Sequence, residues 1–166
     1  MTLVEIEAYL HTHIPLSRAM GVSVLEAHDD AVVLEAPLAP NVNHRSTVFG
    51  GSLTTLCILA AWTWLHRFCR TRDLSSTLVI QKETMQFIAP AEGAFRARCE
   101  GLSPAGRNAF IATLRRYRRA RVKLGCTLTV KEVTVGRFSG SFVALDAPPP
   151  RFEQDAPPVI DASAAE

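Results

Sequence analysis

The chain has 166 residues, enough for one domain with a well-filled core and too few for two ordinary domains. Hydrophobic residues make up 48% of it, which is typical of a globular protein. The net charge of +2 combines a basic stretch at residues 115–123 with an acidic, Pro-rich stretch at residues 147–166.

The N-terminal residues and the longest uncharged run both argue against membrane targeting. The first 16 residues carry acidic residues where a signal peptide carries basic ones, and they contain no apolar core segment. The uncharged run at residues 46–65 includes two glycines and several hydroxyl residues, so its apolar part is shorter than the roughly 20 residues of a membrane span. We therefore expect a soluble cytoplasmic protein without membrane contact.

The four cysteines are widely spaced, with no CxxC pair and no histidine at zinc-finger spacing. Reduced, mostly buried thiols are the expected state, and we predict neither a metal nor a cofactor. Cys57 is a poor candidate for a nucleophile because it lies in an apolar helix pattern without a neighbouring base.

The first elements are a short helix and a hairpin. Leu3, Ile6 and Leu10 recur at helical spacing after Thr2, and Glu5 is placed to complete a capping box. Pro15 breaks this pattern. The next two β-rich runs flank residues 29–30, which predicts a pair of strands joined by a turn.

A long helix follows in which almost every face is apolar. Its apolar positions fall at i, i+3, i+4 and i+7, while Ile58, Leu59 and Trp62 fill much of the other side. No acidic residue occurs between Glu35 and Asp73. We predict that residues 50–68 form a central helix that other elements wrap.

The rest of the chain alternates strands with one further helix. Residues 75–90 read as a long strand ended by a proline, residues 93–102 as a fourth strand, and residues 103–120 as an amphipathic helix. Residues 121–131 alternate strictly, and residues 133–145 form a last strand. The predicted domain is 1–146, and residues 147–166 form a Pro-rich acidic tail without its own core.

A curved antiparallel sheet rolled around one apolar helix satisfies this pattern, which is an α+β class and the hotdog arrangement. The stretches MGVSV, APLAPNVNH, TVFGGSL, RARVKL and GRFSGSFVAL, together with the apolar Trp-containing helix, resemble a thioesterase domain that also occurs as the C-terminal half of some acetyltransferase-like proteins. The resemblance spans roughly residues 14–145 and is most specific at residues 40–53. It implies a homodimer, which in some members pairs again as a dimer of dimers, with sites at the subunit interface and acyl-CoA or a related thioester as substrate.

The Gly50-Gly51 step has a chemical rationale at a helix start. Glycine lets a ligand approach the backbone, and the free N–H groups of a first helical turn suit a carbonyl oxygen or a developing oxyanion. The resemblance implies that the N–H of Gly51 or Ser52 holds the thioester carbonyl. The alternative is that the glycines only allow tight helix packing.

The sequence departs from the family pattern at two catalytic positions. Many hotdog thioesterases have a histidine before the glycine pair, where this chain has Phe49, and a carboxylate about two turns into the helix, where it has Ile58 and apolar neighbours. Asn43 and His44 are candidate substitutes that could orient water or polarise the carbonyl. The competing interpretation is that both residues only hold an ordered loop.

Further candidates line the predicted pocket or supply a base. We expect the acyl chain to run along the helix between Leu53, Leu56 and the facing strands, with additional substrate contacts from the loop and the first helical turns. The substrate-binding candidates are Thr47, Phe49, Gly50, Leu53, Thr55, Leu56, Arg115 and Arg116.

Glu83 shares its strand parity with Val79, Met85 and Phe87, so it should point to an apolar face. A carboxylate there is costly unless it is paired or used. The favoured interpretation is a salt bridge to Arg96 or Arg98, and the alternative is a role near the partner chain's site.

The basic stretch at residues 115–123 has three interpretations: a solvated surface, a nucleic-acid patch, or a clamp for coenzyme A phosphates. Nucleic acid is the least favoured, because Tyr117 is the only aromatic residue there and no recognised motif frames it. Arg115 and Arg116 would contact coenzyme A only if their helix lies near the pocket mouth.

Three functions are compatible with these features. Hydrolysis of an acyl thioester by a homodimer is the leading hypothesis, and a non-catalytic acyl-thioester or lipid-like ligand binder is the alternative, motivated by the missing helix carboxylate. A dehydratase of the same fold is disfavoured because no Asp and His are placed for that chemistry.

Overall fold

This computed structural model describes residues 1–146, and the predicted tail at 147–166 lies outside that range. The elements follow the predicted order, with one short helix and one 3-10 turn (Ala39–Asn41) in addition. The helices are α1 (Leu3–His13), α2 (Pro15–Ala19), α3 (Gly50–Arg70) and α4 (Pro104–Tyr117). The strands are β1 (Ser23–Ala27), β2 (Ala31–Ala36), β3 (Thr77–Phe87), β4 (Phe95–Glu100), β5 (Arg119–Val130) and β6 (Val133–Leu145).

Local signals place the ends of the first two helices. The Thr2 hydroxyl accepts from the N–H of Glu5, and the Glu5 carboxylate accepts from the N–H of Thr2, which is the predicted capping box. Helix α1 ends at His13, and Pro15 stands at the first position of α2, where a missing N–H costs nothing. Pro15 therefore both stops one helix and starts the next.

The six described strands form one antiparallel sheet in the order β1-β2-β4-β5-β6-β3. Within residues 1–146, β3 pairs with β6 alone, so one of its edges has no neighbouring strand. A register shift between Ile80 and Lys82 marks a bulge in β3. Such a bulge reverses the face to which the following side chains point.

The sheet wraps around α3, which confirms the predicted central helix in an α+β fold. Eleven of its 21 residues are buried. The whole predicted apolar face lies inside, from Leu53 at 3% exposure to Phe68 at 1%. On the opposite side a stripe remains half-buried. It consists of Thr55, Ile58, Trp62 and His66, which we call the open stripe.

All four cysteines are free and buried, as expected for reduced thiols. The Cys126 thiol donates to the carbonyl of Cys57 at 3.4 Å, and the pKa of Cys126 lies well above its usual range because of its interaction with Cys57 and its burial. Burial also raises the pKa of the Cys69 thiol. These thiols act as small apolar core side chains.

No helix within residues 1–146 is both long enough and apolar enough to cross a membrane.

Asp29, in the turn between β1 and β2, ties the hairpin to the C-terminal half of α3. Its carboxylate accepts hydrogen bonds from Arg67 at 2.8 Å and from Arg72 at 2.6 Å. Its backbone carbonyl accepts from the indole of Trp64 and from Arg107 of α4. One turn residue therefore joins two helices to the sheet.

We predict that this cluster makes stability fall in acid. Hydrogen bonds from Arg72 and Arg67 lower the pKa of Asp29 from its ordinary 3.8 to about 2. Because the folded pKa is depressed, the stabilisation is complete above about pH 4 and is lost as the pH falls towards 2. Urea unfolding from pH 6 to pH 2 should show a flatter dependence for Asp29→Asn than for the wild type.

The matched control is Asp30→Asn, which changes the neighbouring, largely exposed carboxylate that pairs with Arg107. It should keep the wild-type pH dependence. An Asp29→Asn profile parallel to the wild type would contradict the assignment.

Candidate functional site

The loop before α3 is closed by the side chain of Asn43. Its Oδ1 accepts from the N–H groups of Arg45 at 2.8 Å and Thr47 at 3.3 Å. Its Nδ2 donates to the Thr47 hydroxyl at 2.9 Å and to the Val48 carbonyl at 3.3 Å. Both ends of the amide are thus engaged within the loop, which matches the structural interpretation of this residue.

His44 is exposed, and no hydrogen bond or ion pair of its side chain is found within residues 1–146. It does not line the cavity at the start of α3. Of the two catalytic candidates in the loop, Asn43 uses its hydrogen-bonding groups within the loop, and His44 is exposed to solvent.

Asn41 anchors the loop to the segments that precede it in the chain, a role that the sequence did not predict. It is 2% exposed, and its amide donates to the carbonyls of Met20 and Pro37, both at 2.8 Å. Its backbone carbonyl accepts from the N–H of Phe49 at 2.7 Å. The available signal was an asparagine between prolines and β-branched residues, which does not distinguish a buried anchor from a surface turn.

Helix α3 begins without a side-chain cap. Phe49 is the N-cap residue, and no side chain caps the helix there. The N–H groups of Gly50, Gly51 and Ser52 find no acceptor within residues 1–146, whereas Leu53 is the first to bond back, to the carbonyl of Phe49. The first turn therefore presents three free donors at the positive end of the helix dipole.

A cavity of about 350 Å³ lies against this helix start. Three predicted residues, Thr47, Gly50 and Leu53, line it, and the other wall is the end of β3 and the segment after it. That wall consists of Phe87, Ile88, Ala89, Pro90 and Ala91. Sequence reasoning missed this wall because only the fold brings it to α3.

The glycine pair lies between two phenyl rings. A Cβ on Gly50 would lie 3.3 Å from the Phe87 ring, and a Cβ on Gly51 would collide with the ring of Phe49. Phe49 itself is 58% exposed. Both glycines therefore keep the helix start open between two phenyl rings.

The remaining helix candidates fall on different faces. Leu56 is completely buried and borders none of the cavities described along residues 1–146, so it cannot contact a ligand without repacking. Thr55 lies on the open stripe. The predicted acyl path along Leu53 and Leu56 is thus available only at Leu53.

The open stripe ends in a second cavity of about 550 Å³. Tyr9, Trp62 and His66 stack along it, with ring centroids 4.6 Å apart for Trp62 and His66 and 4.8 Å apart for Tyr9 and His66. Burial, with smaller effects of Arg70 and His13, lowers the pKa of His66 to about 4. His66 is therefore a neutral aromatic wall near pH 7.

Glu83 lies opposite Gly140 in the pairing of β3 with β6. A Cβ on Gly140 would touch the buried rings of Phe138 and Phe142, so that side of the sheet faces the core. Directly paired residues share a face, which points Glu83 inward as predicted. It is nevertheless exposed, and no ion pair of Glu83 is found within residues 1–146.

Two predictions about Glu83 are wrong: the face that it shares with Val79 and its salt bridge to Arg96 or Arg98. The bulge places Val79 on the opposite face from Glu83. Arg96 pairs with Glu35 and Glu132, while Arg98 pairs with Glu26 and Glu100, so neither neutralises Glu83. Strand β4, which carries both arginines, is separated from β3 by two strands.

Arg115 and Arg116 lie on exposed positions of α4 at the far end of α3. Phe110 of α4 packs edge-on against Phe68, 5.9 Å away, near the C-terminus of α3. Within one chain these arginines are therefore not at the helix start, which was the condition for their predicted contact with coenzyme A.

Within residues 1–146, no group of three or more His, Cys, Asp or Glu residues is arranged to hold a metal ion.

An antiparallel sheet wrapped around one central helix makes this a hotdog-fold protein. The model of the family described as "Putative thioesterase (yiiD_Cterm)" matches residues 3–146, and the chain belongs to this family.

Two solved structures illustrate the likeness. A Chlorobaculum tepidum protein of unknown function is 25% identical over 85% of this chain and 92% of its own, with a TM-score of 0.80. A Shewanella oneidensis protein described as a "putative thioesterase" is 26% identical over 86% of this chain and 96% of its own, with a TM-score of 0.77.

We predict that Asn43→Ala destabilises the protein by about 1–3 kcal/mol, the usual effect of losing a buried hydrogen-bonded group. Chemical denaturation should show a lower midpoint with an unchanged slope. His44→Ala is the matched control in the same loop and should leave stability unchanged, because its side chain is exposed. Equal effects of the two substitutions would contradict the assignment of Asn43 as the residue that closes the loop.

Proposed function

We propose that this protein is an acyl-thioester hydrolase that acts on acyl-CoA as a homodimer. The observation that carries the proposal is the uncapped start of α3, where three N–H groups find no acceptor within residues 1–146 and Gly50 borders a cavity with apolar walls. The family supports the reaction class, and the buried reduced thiols favour a reducing compartment such as the cytoplasm.

The thioester carbonyl sits at the helix start and accepts from the N–H of Gly51 or Ser52. Water adds to the carbonyl carbon, and the oxyanion that forms is stabilised by these preorganised donors and by the helix dipole. The tetrahedral intermediate then expels the thiolate, which takes up a proton, and leaves a carboxylic acid. Gly50 and Gly51 keep space for the thioester between Phe49 and Phe87.

Glu83 is the candidate for the base that activates water, because it is the only acid in β3 and its side chain points to the concave face of the sheet. Helix α3 and β3 run antiparallel, because Gly50 adjoins Phe87 while Cys69 and Leu78 share a cavity at the other end. Glu83 is about 13 Å along β3 from Phe87, and Ile58 is about 12 Å along α3 from Gly50. Glu83 therefore lies level with the helix position where related enzymes carry their carboxylate.

Two chains join through the edge of β3 that has no neighbouring strand within residues 1–146. That edge exposes main-chain groups to a neighbour, and Val79, Phe87 and Ile88 add exposed apolar surface along it. A two-fold axis perpendicular to the sheet pairs the two strands antiparallel and continues the sheet across both chains. The two Glu83 side chains then lie on the concave side of the shared sheet.

The acyl chain follows the open stripe. Thr55, Ile58 and Trp62 lead from the helix start to the ring-lined cavity at His66. This route replaces the path along Leu56, whose side chain is enclosed in the core.

The absence of a carboxylate in α3 favours one alternative, a protein that binds acyl thioesters or lipid-like ligands without turning them over. Assays with acyl-CoA of two to eighteen carbons separate the two functions. Hydrolysis of any of them supports the enzyme, and saturable binding without hydrolysis supports the alternative.

Gly51→Val should lower kcat by about 100-fold, because the new side chain forces the Phe49 ring to move and displaces the carbonyl from its donors. Gly125→Val is the matched control, since a Cβ there meets only the Phe138 carbonyl at an ordinary 3.6 Å. Steady-state kinetics on folded protein measures both. Wild-type turnover in Gly51→Val would sink the assignment of the helix start.

Glu83→Gln should lower kcat about 100-fold with little change in KM, because an amide cannot take the proton from water. Glu92→Gln is the control, because Glu92 is exposed and adjoins Ala91 in the cavity wall. A loss of activity in Glu92→Gln and not in Glu83→Gln would show that Glu83 is not the base.

A further inference from the structure

The outward face of the sheet divides into two halves of different charge balance. On the half formed by β1, β2 and β4, Arg96 and Arg98 each pair with two glutamates. On the half formed by β5, β6 and β3, exposed cations share a face, and no ion pair of theirs is found within residues 1–146. We call this surface the basic face, and its cations are Lys82, Arg119, Arg121, Lys123 and Arg137.

The cations of the basic face are close enough to repel one another. Arg119, Arg121 and Lys123 stand at alternate positions of β5, about 7 Å from one to the next. Lys82 and Lys123 flank Ser141 on its two neighbouring strands, at about 10 Å from each other. Charges at these distances are only partly screened at physiological salt, where the screening length is about 8 Å. The basic face therefore attracts a group that carries several negative charges.

The acidic residues near the basic face are paired elsewhere or point to the other side of the sheet. Asp146 pairs with Arg118 at 3.7 Å, and Glu132 pairs with Arg96 at 3.2 Å. Glu83 points to the concave face. The outward residues between the cations are uncharged, and they are Thr84, Gly125, Thr127, Ser139 and Ser141. Negative charge for this face therefore has to come from outside residues 1–146.

The chain itself carries such charge directly after β6. Residues 147–166, which we call the acidic segment, contain one arginine and four acidic residues, namely Glu153, Asp155, Asp161 and Glu166. The last residue of β6 is Leu145, which pairs with Arg119 on the basic face. The acidic segment therefore follows the chain at the edge of the surface that lacks negative charge.

The length of the acidic segment is sufficient to cover the basic face. Glu153 follows Leu145 by eight residues, so an extended chain can place it as far as about 28 Å away. The most distant cation is Arg137, which pairs with Thr127 at about 26 Å along β5 from Arg119. Lys123 is only about 13 Å along the same strand. The first two acids of the segment can therefore reach every cation of the face.

Covalent attachment gives the acidic segment an advantage over a separate partner. Exposed ion pairs are individually weak, because solvent screens them and long side chains lose freedom in forming them. A short tether, however, holds the two groups at an effective concentration in the millimolar range. Several weak pairs then suffice for binding within one chain.

We propose that the acidic segment binds the basic face of its own chain through Glu153 and Asp155. The bound segment neutralises this half of the sheet and excludes other polyanions from it. The inference involves no group at the start of α3, so it does not rest on the proposed function.

Zero-length cross-linking of the full-length protein tests the contact. A carbodiimide joins a carboxylate to a lysine amine without a spacer, and the chain has three lysines, Lys82, Lys123 and Lys131. Mass spectrometry should find Glu153 or Asp155 joined to Lys82 or Lys123. Lys131 is the internal control, because it is exposed in the turn between β5 and β6, and it should form no such link. Absence of links to both Lys82 and Lys123 would overturn the proposal.

The linked product should migrate as a single chain in a denaturing gel. Links to Lys82 or Lys123 that are found only between two chains would overturn binding within one chain.

A pair of charge variants separates binding from mere proximity. Arg121→Gln/Arg137→Gln keeps both lysines and should lower the yield of links to Lys123 at least fivefold. Arg45→Gln/Arg70→Gln is the matched control, since it removes the same charge from two exposed arginines outside the basic face. Its yield should stay within twofold of the wild type. Equal yields in the two variants would show that the segment only passes near the lysine, and would refute binding.

Retention on immobilised heparin tests whether the segment excludes other polyanions. Arg121→Gln/Arg137→Gln is compared in the wild type and in a background with Glu153→Gln, Asp155→Asn, Asp161→Asn and Glu166→Gln. Each comparison removes the same charge, so net charge cancels. The arginine changes should lower the eluting salt concentration at least twice as much in the neutralised background, where the face is open. Equal shifts would show that the face is free to bind an external polyanion, and would rule out its occupation by the segment.

Discussion

The burial of α3 is the constraint on which the rest of the structure depends. A helix with apolar side chains on nearly every face has to be removed from water, and only a curved sheet encloses it on most sides. Trp64, Leu65 and Phe68 in its C-terminal half are at most 1% exposed. The sheet runs along the whole helix. The first turn of α3 therefore lies at one end of the sheet, and the C-terminus of α3 lies at the other end.

The interactions that stabilise α3 lie away from its first turn. The core packs against the middle and the end of α3, where Asp29 joins the hairpin and α4 to Trp64 and Arg67. The first turn carries no side-chain cap, and it leaves three donors unused by the described chain. The interactions that hold the helix are therefore at a distance from the groups that would polarise a carbonyl.

The two asparagines of the loop before α3 have different structural roles. Asn41 is buried and fixes the loop to the carbonyls of Met20 and Pro37, and Asn43 closes the loop on itself. These polar side chains thus serve mainly to fix the conformation of the loop. The loop also places Thr47 in the wall of the cavity.

The sequence by itself determined the order of the elements and the enclosure of α3, because hydrophobic periodicity and capping act over a few residues. The capping box at Thr2 and the break at Pro15 are local in the same sense. The glycine pair could also be located, since its motif is contiguous.

Only the tertiary structure decided which strands are neighbours and which groups meet. Parity indicated the face of Glu83, but a one-residue bulge moved Val79 to the other side, and the sheet order placed Arg96 and Arg98 two strands away. The wall from Phe87 to Ala91 also meets α3 only through contacts between distant segments. Periodicity specifies which way a side chain points, whereas its partners depend on the pairing of strands far apart in the chain, which no local pattern encodes.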